Sequence, residues 1–300
     1  MVHTLTFNPA LDYTVLPERL MLGETNRTQQ ATLRLGGKGI NVSVVLKAFG
    51  IDSVAHAFTA GTVGELIKEK AREIGLTTSF LPATGESRIN IKIKGEKETE
   101  INGKGHTVTP EGYRALLAKL SKLQSGDILV MAGSVPTGVS KTAYAELMRE
   151  LSGKGVRFVV DATGEALKAA IKEKPFLIKP NAAELGELFG VSVTTKEQAI
   201  AYAKELCKEG AENVLVSLGG EGAVFVSSEG ETYQTHAPKG KVIDTVGAGD
   251  SVVAGFLYAT LQGKDKRTAF LTGVAAGSAT AFLEGFATRE KTEELLKTLP

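Results

Sequence analysis

Short apolar runs alternate with longer amphipathic segments through much of the second half of this 300-residue sequence. Two such runs are DILVMAG at 127–133 and VRFVVDA at 156–162, with SKTAYAELMRELSG at 140–153 between them. The runs are typical of buried strands, whereas the segment between them has apolar residues at helical spacing. Strands joined through helices form parallel sheets, so the sequence predicts an α/β fold with helices on both faces of a mostly parallel sheet. Ligands are then expected at the carboxyl ends of the strands.

The composition is that of a globular protein with a sizeable core. Hydrophobic residues make up 42% of the chain, which favours a single domain over residues 1–300. The 35 Lys and Arg residues nearly balance 34 Asp and Glu residues, so the net charge is +1, and no basic run suggests nucleic acid as a partner. The first residues, MVHTLTFNPALDYTV, do not have the pattern of a signal peptide, and no stretch approaches the ~18 apolar residues that span a bilayer. We therefore expect a cytoplasmic protein with no membrane partner.

Two regions depart from the strand and helix alternation. TQQATLRLGG at 28–37 and SRINIKIKGEKETEINGKG at 87–105 alternate apolar and polar residues with period two. This period predicts half-exposed strands, and KGEKE at 94–98 suits a hairpin turn. We expect these strands, inserted at about 11–35 and 87–107, to form a small separate sheet that acts as a lid or as a dimer contact. A plain edge hairpin of the main sheet is the less attractive alternative. Unprotected edges on such a sheet favour a homodimer through the lid strands.

The stretch DTVGAGDS at 244–251 has Gly247, Ala248 and Gly249 directly before an acid, Asp250. It lies between KVI at 241–243, predicted as a strand, and VVAGFLYATLQG at 252–263, predicted as a helix. Small residues at a helix start leave the backbone N–H groups open to an anion. Asp250 could then accept the proton of a hydroxyl while those amides hold the charge of a transferred group. The alternative, an acid that only stabilises the helix N-terminus, fits the residue alone equally well.

Two common phosphate-binding motifs do not explain this stretch. The pattern GxxxxGK[ST] is absent from the chain, and GxGxxG fails here because Val252 stands at the third glycine position. The missing GxGxxG also disfavours an NAD-dependent dehydrogenase.

Three further stretches place glycines or polar residues beside strand ends. LGGKGINVS at 35–43 exposes backbone at its glycines and offers the Lys38 cation and the Asn41 amide, although a tight turn alone would explain it. SLGGEGAVF at 217–225 could admit a flat base or a ribose, or could simply be a hairpin turn. In KPNAAEL at 179–185, Asn181 and Glu184 are expected on one side of a helix, and they also fit a capping box.

Together, NPALD at 8–12, GGKGIN at 36–41, KPNAAEL, SLGGEGA at 217–223 and DTVGAGDS resemble the motif series of the PfkB sugar kinases, a ribokinase-like family, across nearly all of the chain. The last motif is the most specific of the series. The resemblance implies a ribokinase-like three-layer α/β sandwich with a central, mostly parallel sheet and a small β-sheet lid. It also implies transfer of the γ-phosphoryl group of ATP, with Mg²⁺, to a sugar hydroxyl.

The resemblance also implies a role for each matching residue. Asp250 would be the general base, and the anion hole would comprise Gly247, Ala248 and Gly249. The sugar hydroxyls would be bound by Asp12, Gly37 and Asn41. The nucleotide and metal side would be lined by Lys179, Asn181, Glu184, Ser217, Gly219, Gly222 and Thr245. Among these, Asn181 and Glu184 would place the Mg²⁺ through water.

Within the family, LTFNPALDYTV and TEINGKG resemble the branch whose sugars already carry a phosphate. Such a small-molecule phosphosugar requires cations, which we expect to be Arg27, Lys38, Arg88 and Lys104. Lys38 and Arg88 match positions of the branch, whereas Lys104 is an extrapolation. The branch commonly has a proline after NGKG, where this chain has His106, so a flexible lid loop is expected there.

The stretch SRINIKI resembles family members that phosphorylate the 6-hydroxyl of fructose 1-phosphate, which gives fructose 1,6-bisphosphate, more than it resembles the tagatose-6-phosphate kinases. Phosphorylation of tagatose 6-phosphate or fructose 6-phosphate on the same scaffold is the main alternative. A non-catalytic sugar-phosphate binding protein is a more distant one, and a base at Asp250 argues against it.

Overall fold

The computed structural model describes residues 1–95 and 98–300, which form two β-sheets flanked by helices. The strands of the larger sheet are β1 (Val2–Thr6), β4 (Ser53–Thr59), β5 (Thr77–Pro82), β8 (Ile128–Ala132), β9 (Arg157–Asp161), β10 (Leu177–Ile178), β11 (Asn213–Ser217), β12 (Ala223–Ser227) and β13 (Thr232–Thr235). Those of the smaller sheet are β2 (Ala10–Pro17), β3 (Thr28–Gly36), β6 (Arg88–Lys94) and β7 (Glu98–Asn102).

The described helices are α1 (Lys38–Ala48), α2 (Gly61–Glu73), α3 (Pro110–Leu120), α4 (Ala143–Glu150), α5 (Gly164–Ile171), α6 (Ala182–Phe189), α7 (Lys196–Glu209), α8 (Ala248–Leu261), α9 (Lys266–Ala281) and α10 (Arg289–Leu296). None of these helices has the length and apolarity needed to cross a bilayer.

The nine-stranded sheet has the order β13-β12-β11-β10-β9-β8-β1-β4-β5. All neighbours from β11 to β5 run parallel, and the two strands at the other edge are antiparallel. The apolar run of β8 is buried along its whole length because both faces of the sheet are covered.

Two apolar clusters cover the two faces of this sheet. One joins the sheet to α3, α4, α5, α6 and α7, as shown by Leu116, Tyr144 and Leu185. The other joins it to α1, α8, α9 and α10, as shown by Val45 and Phe256. The layers are therefore helix, sheet and helix, which confirms the three-layer α/β sandwich predicted from the sequence.

The smaller sheet has the order β3-β2-β6-β7 and unites the two regions of period-two sequence. One end of its apolar face is buried, where Leu11 and Leu35 pack with Ile40 of α1 and Ile67 of α2. The predicted turn at KGEKE includes Glu96 and Lys97, which lie outside the described residues.

The predicted strand at 241–243 is wrong, because these residues form an irregular segment before α8. Their apolar side chains are not covered, since Val242 and Ile243 are 58% and 46% exposed. The N–H groups of Ile243 and Asp244 donate to the carbonyl of Ala281 at the end of α9, at 2.8 and 3.3 Å, rather than to a neighbouring strand. Two β-branched residues, Val242 and Ile243, do not make a strand when no strand edge lies beside them.

A pair of histidines is stacked between β1 and β4. His3 Nδ1 lies 3.1 Å from His56 Nε2, and the ring centroids are 5.3 Å apart. Burial, with smaller contributions from His3 and Lys119, lowers the pKa of His56 to about 4. Burial also lowers the pKa of His3. Both rings are therefore neutral in the folded protein at neutral pH.

We expect acid to destabilise the fold through this pair. As the pH falls below the ordinary histidine pKa of 6.5, His56 becomes protonated in the unfolded chain. In the folded protein His56 stays neutral until about pH 4, so protonation favours the unfolded state. The free energy of unfolding should fall by about 2 kcal/mol between pH 7.5 and pH 5 through His56 alone. Urea unfolding at both pH values measures this, and His56→Gln should reduce the difference. The same exchange at the exposed His236 is the control, and an equal slope in wild type and His56→Gln would contradict the prediction.

Candidate active site

The carboxyl ends of the parallel strands and the N-termini of two helices meet at one edge of the large sheet. Asp161 is the last residue of β9, Lys179 follows β10, and Ser217 ends β11. Gly133 follows β8, and a Cβ built on it would lie 3.9 Å from the Cβ of Lys38, which is in the first turn of α1. The site therefore lies where a doubly wound sheet brings strand ends together.

Asp250 occupies the first turn of α8 and is only 5% exposed. Its Oδ2 accepts a hydrogen bond of 2.8 Å from Nδ2 of Asn41 on α1. The helix begins after Gly247, whose φ of 77° is left-handed and whose Cα lies against the ring of Phe286. A residue with a side chain would be strained there and would push Phe286 away. The glycine thus allows the turn to place Asp250 against Asn41.

The backbone at the start of α8 offers donors. Within the described part of the chain, the N–H groups of Gly247, Gly249 and Asp250 have no hydrogen-bond acceptor. The N–H of Ala248 donates to the carbonyl of Thr245 at 3.2 Å, so among the three residues of the predicted anion hole the unpaired donors are those of Gly247 and Gly249. Unpaired donors at the positive end of a helix dipole suit a phosphoryl group.

Beneath these donors lies a buried group of charges centred on Asp161. Its Oδ1 lies 2.9 Å from Nζ of Lys38, and its Oδ2 lies 3.4 Å from Nζ of Lys179. Burial opposes ionisation of Asp161, but the two ammonium groups outweigh it and hold its pKa below the usual value. Conversely, the pKa of Lys38 is raised, because Asp161 and Glu184 outweigh the cost of burying its ammonium group. Asp161 is therefore a permanent anion between two cations.

The same anion acts on Asp250. Burial, followed by the charge of Asp161, raises the pKa of Asp250 from 3.8 to about 7, although the Asn41 hydrogen bond opposes the shift. A carboxylate whose pKa lies near neutral pH can take a proton and later release it, as a general base must.

The motif at 179–185 forms the capping box that the sequence suggested. Asn181 Oδ1 accepts from the N–H of Glu184, and Glu184 Oε2 accepts from the N–H of Asn181, both at 2.9 Å. Glu184 Oε1 lies 3.7 Å from Nζ of Lys38, so it faces the charge group. The described residues contain no cluster of three or more His, Cys, Asp or Glu side chains able to hold a metal. The donors present fit a Mg²⁺ reached through water, with Glu184 Oε1 as the remaining acceptor.

A groove of about 660 Å³ opens beside the start of α8. The groove is lined by part of the predicted anion-binding turn and by four of the residues predicted on the nucleotide side, which are Ser217, Gly219, Gly222 and Thr245. A Cβ on Gly219 or Gly220 would meet no atom within 4 Å, so the backbone there is open to a flat ligand. Gly222 is also needed for the hairpin between β11 and β12, because its φ is 96° and its Cα lies against the carbonyl of Thr235.

The predicted sugar-binding residues lie in or beside the segment that leads into α1, and one of them, Asn41, contacts Asp250. Asp12 on β2 is held by Asn90, whose Nδ2 donates to Asp12 Oδ1 at 2.9 Å, and its carboxylate lies over Gly36, where no Cβ intervenes. Gly37 has a φ of 119° and its Cα lies against Thr6 and Pro9. Asn41 is predicted to bind a hydroxyl, and its Nδ2 donates a hydrogen bond to Asp250. Its Oδ1 is buried and has no hydrogen-bond partner in the described residues.

Two of the four predicted clamp cations lie beside Asn8, since the Nε of Arg88 donates to the Asn8 carbonyl and the main-chain carbonyl of Lys104 accepts from the Asn8 side chain. Lys38 instead lies against Asp161 and Glu184. Arg27 is exposed and precedes β3, whose other end is at Gly36. That strand rises about 3.3 Å per residue, so Arg27, nine residues before Gly36, lies roughly 30 Å from it along the strand within its own chain.

His106 is not a flexible lid residue, contrary to expectation. It is 1% exposed, and its Nε2 lies 3.1 Å from the carbonyl of Phe7. Burial lowers its pKa, so the neutral ring donates this hydrogen bond at neutral pH. The loop that carries Lys104 is therefore fixed to the segment after β1 by the hydrogen bond between His106 and Phe7.

The family is shown by comparison with known proteins. The model of the pfkB family carbohydrate kinases matches residues 6–292. The chain belongs to this family. A 1-phosphofructokinase of Bacillus subtilis is 45% identical over 296 residues, which cover 99% of this chain and 97% of that protein. A D-tagatose-1-phosphate kinase of Bacillus licheniformis is 33% identical over 295 residues, covering 98% and 97%. The crystal structure of Escherichia coli phosphofructokinase-2 in complex with substrates and products superposes with a TM-score of 0.92 at 29% identity, covering 99% and 98%.

Several residues that the structure places at the site of this kinase were not among those predicted from the sequence. Asp161 ends the run VRFVVDA, and an acid at the carboxyl end of a predicted buried strand was a usable signal for it. Asp244, which opens the DTVGAGDS motif, carries ion pairs to the smaller sheet, 3.4 Å to Arg34 and 3.0 Å to Lys94. No local pattern announces these pairs, because their members are far apart in sequence.

Proposed function

We propose that this carbohydrate kinase transfers the γ-phosphoryl group of ATP to the 6-hydroxyl of fructose 1-phosphate, giving fructose 1,6-bisphosphate. The observation that carries the proposal is Asp250, a buried carboxylate with a pKa of about 7 in the same turn as unpaired backbone donors. The choice of fructose 1-phosphate is supported by the similarity to the Bacillus subtilis 1-phosphofructokinase. A kinase that uses ATP in this way is expected in the cytoplasm.

In the proposed reaction, Asp250 takes the proton of the 6-hydroxyl as its oxygen bonds to the γ-phosphorus. The bond from that phosphorus to the bridging oxygen breaks, and ADP leaves with the electron pair. Oδ2 of Asp250 is held by Asn41, so Oδ1 is the oxygen left to receive the proton. Holding the base at a fixed position accounts for much of the effect of such a group.

The charge of the transferred group would be held by the N–H groups of Gly247 and Gly249 and by two lysines. Lys179 Nζ lies 3.2 Å from the position of a Cβ on Gly249, so its charge is adjacent to the turn. Lys38 lies on the opposite side of Asp161. When bound, Mg²⁺ supplies further charge neutralisation at the phosphates, and Glu184 with Asn181 would place it through water. This division of labour is general for phosphoryl transfer.

On the sugar side, Asp12 and Asn41 would accept and donate to hydroxyls, while Gly37 leaves the backbone open. The phosphate already on the sugar would be held by Arg88 and Lys104, because Lys38 is paired with Asp161 and Glu184 beneath the turn that would hold the transferred group. We propose that the smaller sheet acts as a lid within a single domain. Its ion pairs from Arg34 and Lys94 to Asp244 support a closed position over the site.

Replacing the base tests the mechanism. Asp250→Asn keeps the shape and the hydrogen bond with Asn41 but cannot take a proton, so kcat should fall by about 10²-fold or more while ATP binding is largely kept. In the wild type, kcat/KM should rise with pH through about 7, where Asp250 ionises, and the variant should lack this step. Asp265→Asn is the control, because Asp265 only caps α9 through Thr268. Unchanged turnover in Asp250→Asn would leave Asp250 as a helix cap alone.

A substrate panel tests the acceptor. Coupled measurement of ADP release should give the highest kcat/KM with fructose 1-phosphate, ahead of tagatose 1-phosphate, fructose 6-phosphate and tagatose 6-phosphate. The 1-phosphates leave the 6-hydroxyl available, whereas the 6-phosphates do not. A preference for either 6-phosphate would overturn the proposed substrate.

We also propose a homodimer through the smaller sheet. Its apolar face continues beyond the buried end into Tyr13, Ile89 and Ile101, which are 38, 42 and 57% exposed. An exposed apolar sheet face with unprotected edges favours association.

Light scattering at micromolar concentration should give twice the mass of one chain. Ile101→Asp places a charge on the apolar face and should give a monomer. Val191→Asp, at a residue that is 40% exposed outside this sheet, is the control and should remain dimeric. A monomeric wild type would contradict the proposal.

A further inference from the structure

The three residues between β1 and β2 connect the large sheet to the smaller one, and three hydrogen bonds from the smaller sheet's surroundings end on them. His106 Nε2 lies 3.1 Å from the carbonyl of Phe7. The Nε of Arg88 donates to the carbonyl of Asn8 at 3.1 Å, and the side chain of Asn8 donates to the carbonyl of Lys104 at 3.1 Å. Only the last of these bonds depends on a side chain of the connecting segment.

The Asn8 amide is enclosed. It is 5% exposed, and its Oδ1 is buried without a hydrogen-bond partner among the described residues. Gly105 has a φ of 85°, and a Cβ there would collide with the amide. A buried carbonyl oxygen without a donor costs stability. An apolar side chain would avoid that cost but would leave the Lys104 carbonyl without this donor, so the bond to Lys104 is what the asparagine provides here.

The bond to Lys104 fixes the loop relative to Arg88. Gly103, one residue before Lys104, lies against Arg88, with its ideal Cβ position 3.0 Å from the Arg88 Cβ. The side chain of Lys104 is exposed and makes no ion pair among the described residues, so within them only its main chain is held. Holding the carbonyl of Lys104 therefore fixes, beside Arg88, the main chain from which this second cation projects.

We propose that Asn8 is a positioning residue that sets the spacing of Arg88 and Lys104 and thereby the affinity for the phosphate already present on the substrate. This inference deepens the proposed function and rests on it. Asn8 acts through Lys104 and does not contact the reacting atoms. Because the clamp binds a part of the substrate that does not react, its loss changes the KM for the sugar phosphate and leaves kcat and the KM for ATP nearly unchanged.

The chain offers a matched control in Asn213. This asparagine is 3% exposed, its Nδ2 donates to the carbonyl of Phe176 at 2.7 Å, and its Oδ1 is likewise buried without a partner among the described residues. Asn213 is the first residue of β11, whereas the site lies at the other, carboxyl end of this strand. Asn213→Ala removes the same kind of bond without touching the clamp.

The experiment compares Asn8→Ala, Asn213→Ala, Lys104→Ala and the double variant of Asn8 and Lys104. Both asparagine variants should lose stability in urea unfolding. Asn8→Ala should raise the KM for fructose 1-phosphate about tenfold, as expected for loss of one charged phosphate contact, with kcat and the KM for ATP within about twofold. Asn213→Ala should leave all three constants unchanged. Lys104→Ala should raise the KM as Asn8→Ala does, and the double variant should show no further increase.

An unchanged KM in Asn8→Ala, an equal rise in Asn213→Ala or additive effects in the double variant would each overturn the inference. If Asn8→Ala does not fold, Asn8→Ser is used, because its hydroxyl is too short to reach the Lys104 carbonyl. Calorimetric titration with fructose 1-phosphate gives the same comparison without turnover, so a failure of the proposed chemistry at Asp250 is separable from a failure here. If the wild type prefers another sugar phosphate, the proposed substrate fails and the comparison is made with the preferred one.

Discussion

The candidate site depends on one buried anion, Asp161, between two ammonium groups. Removing charges from water is costly, and the cost is offset here because Lys38 and Lys179 lie on opposite oxygens of the same carboxylate. This arrangement keeps two cations beneath the phosphoryl-binding turn. Its negative charge also opposes ionisation of Asp250 and so moves the pKa of that group toward neutral pH. In the proposed mechanism, a single carboxylate thus prepares both the charge and the base that phosphoryl transfer requires.

Two helix starts approach each other because glycine precedes each of them. Gly37 before α1 and Gly247 before α8 both have left-handed φ values and both lie against neighbouring residues where a Cβ would not fit. The helices that follow bring Asn41 and Asp250 within 2.8 Å. The two glycines are therefore needed for packing, and their openness to a ligand stays a prediction.

The smaller sheet is tied to the large one at two places. At one, Arg34 and Lys94 reach Asp244 in the loop that leads into the catalytic turn. At the other, the connecting segment at Phe7 and Asn8 holds the residues that follow β7. Both links join the smaller sheet to segments beside the candidate site, so the position of the sheet is coupled through specific bonds to the proposed phosphate-binding cations.

The sequence by itself determined the layered α/β fold, the family and the turn before Asp250, because strand and helix periods and short glycine motifs are local properties of a chain. The strand predicted at 241–243 was wrong, because β-propensity does not show whether the edge of a neighbouring strand is available for pairing. Tertiary structure alone decided that Arg27 lies far from the other clamp cations, that His106 is buried, and that Asp161 joins the site. The physical reason is that burial and charge pairing depend on which distant segments meet, and the meeting of β9, β10 and two helix N-termini is a consequence of topology rather than of any short pattern.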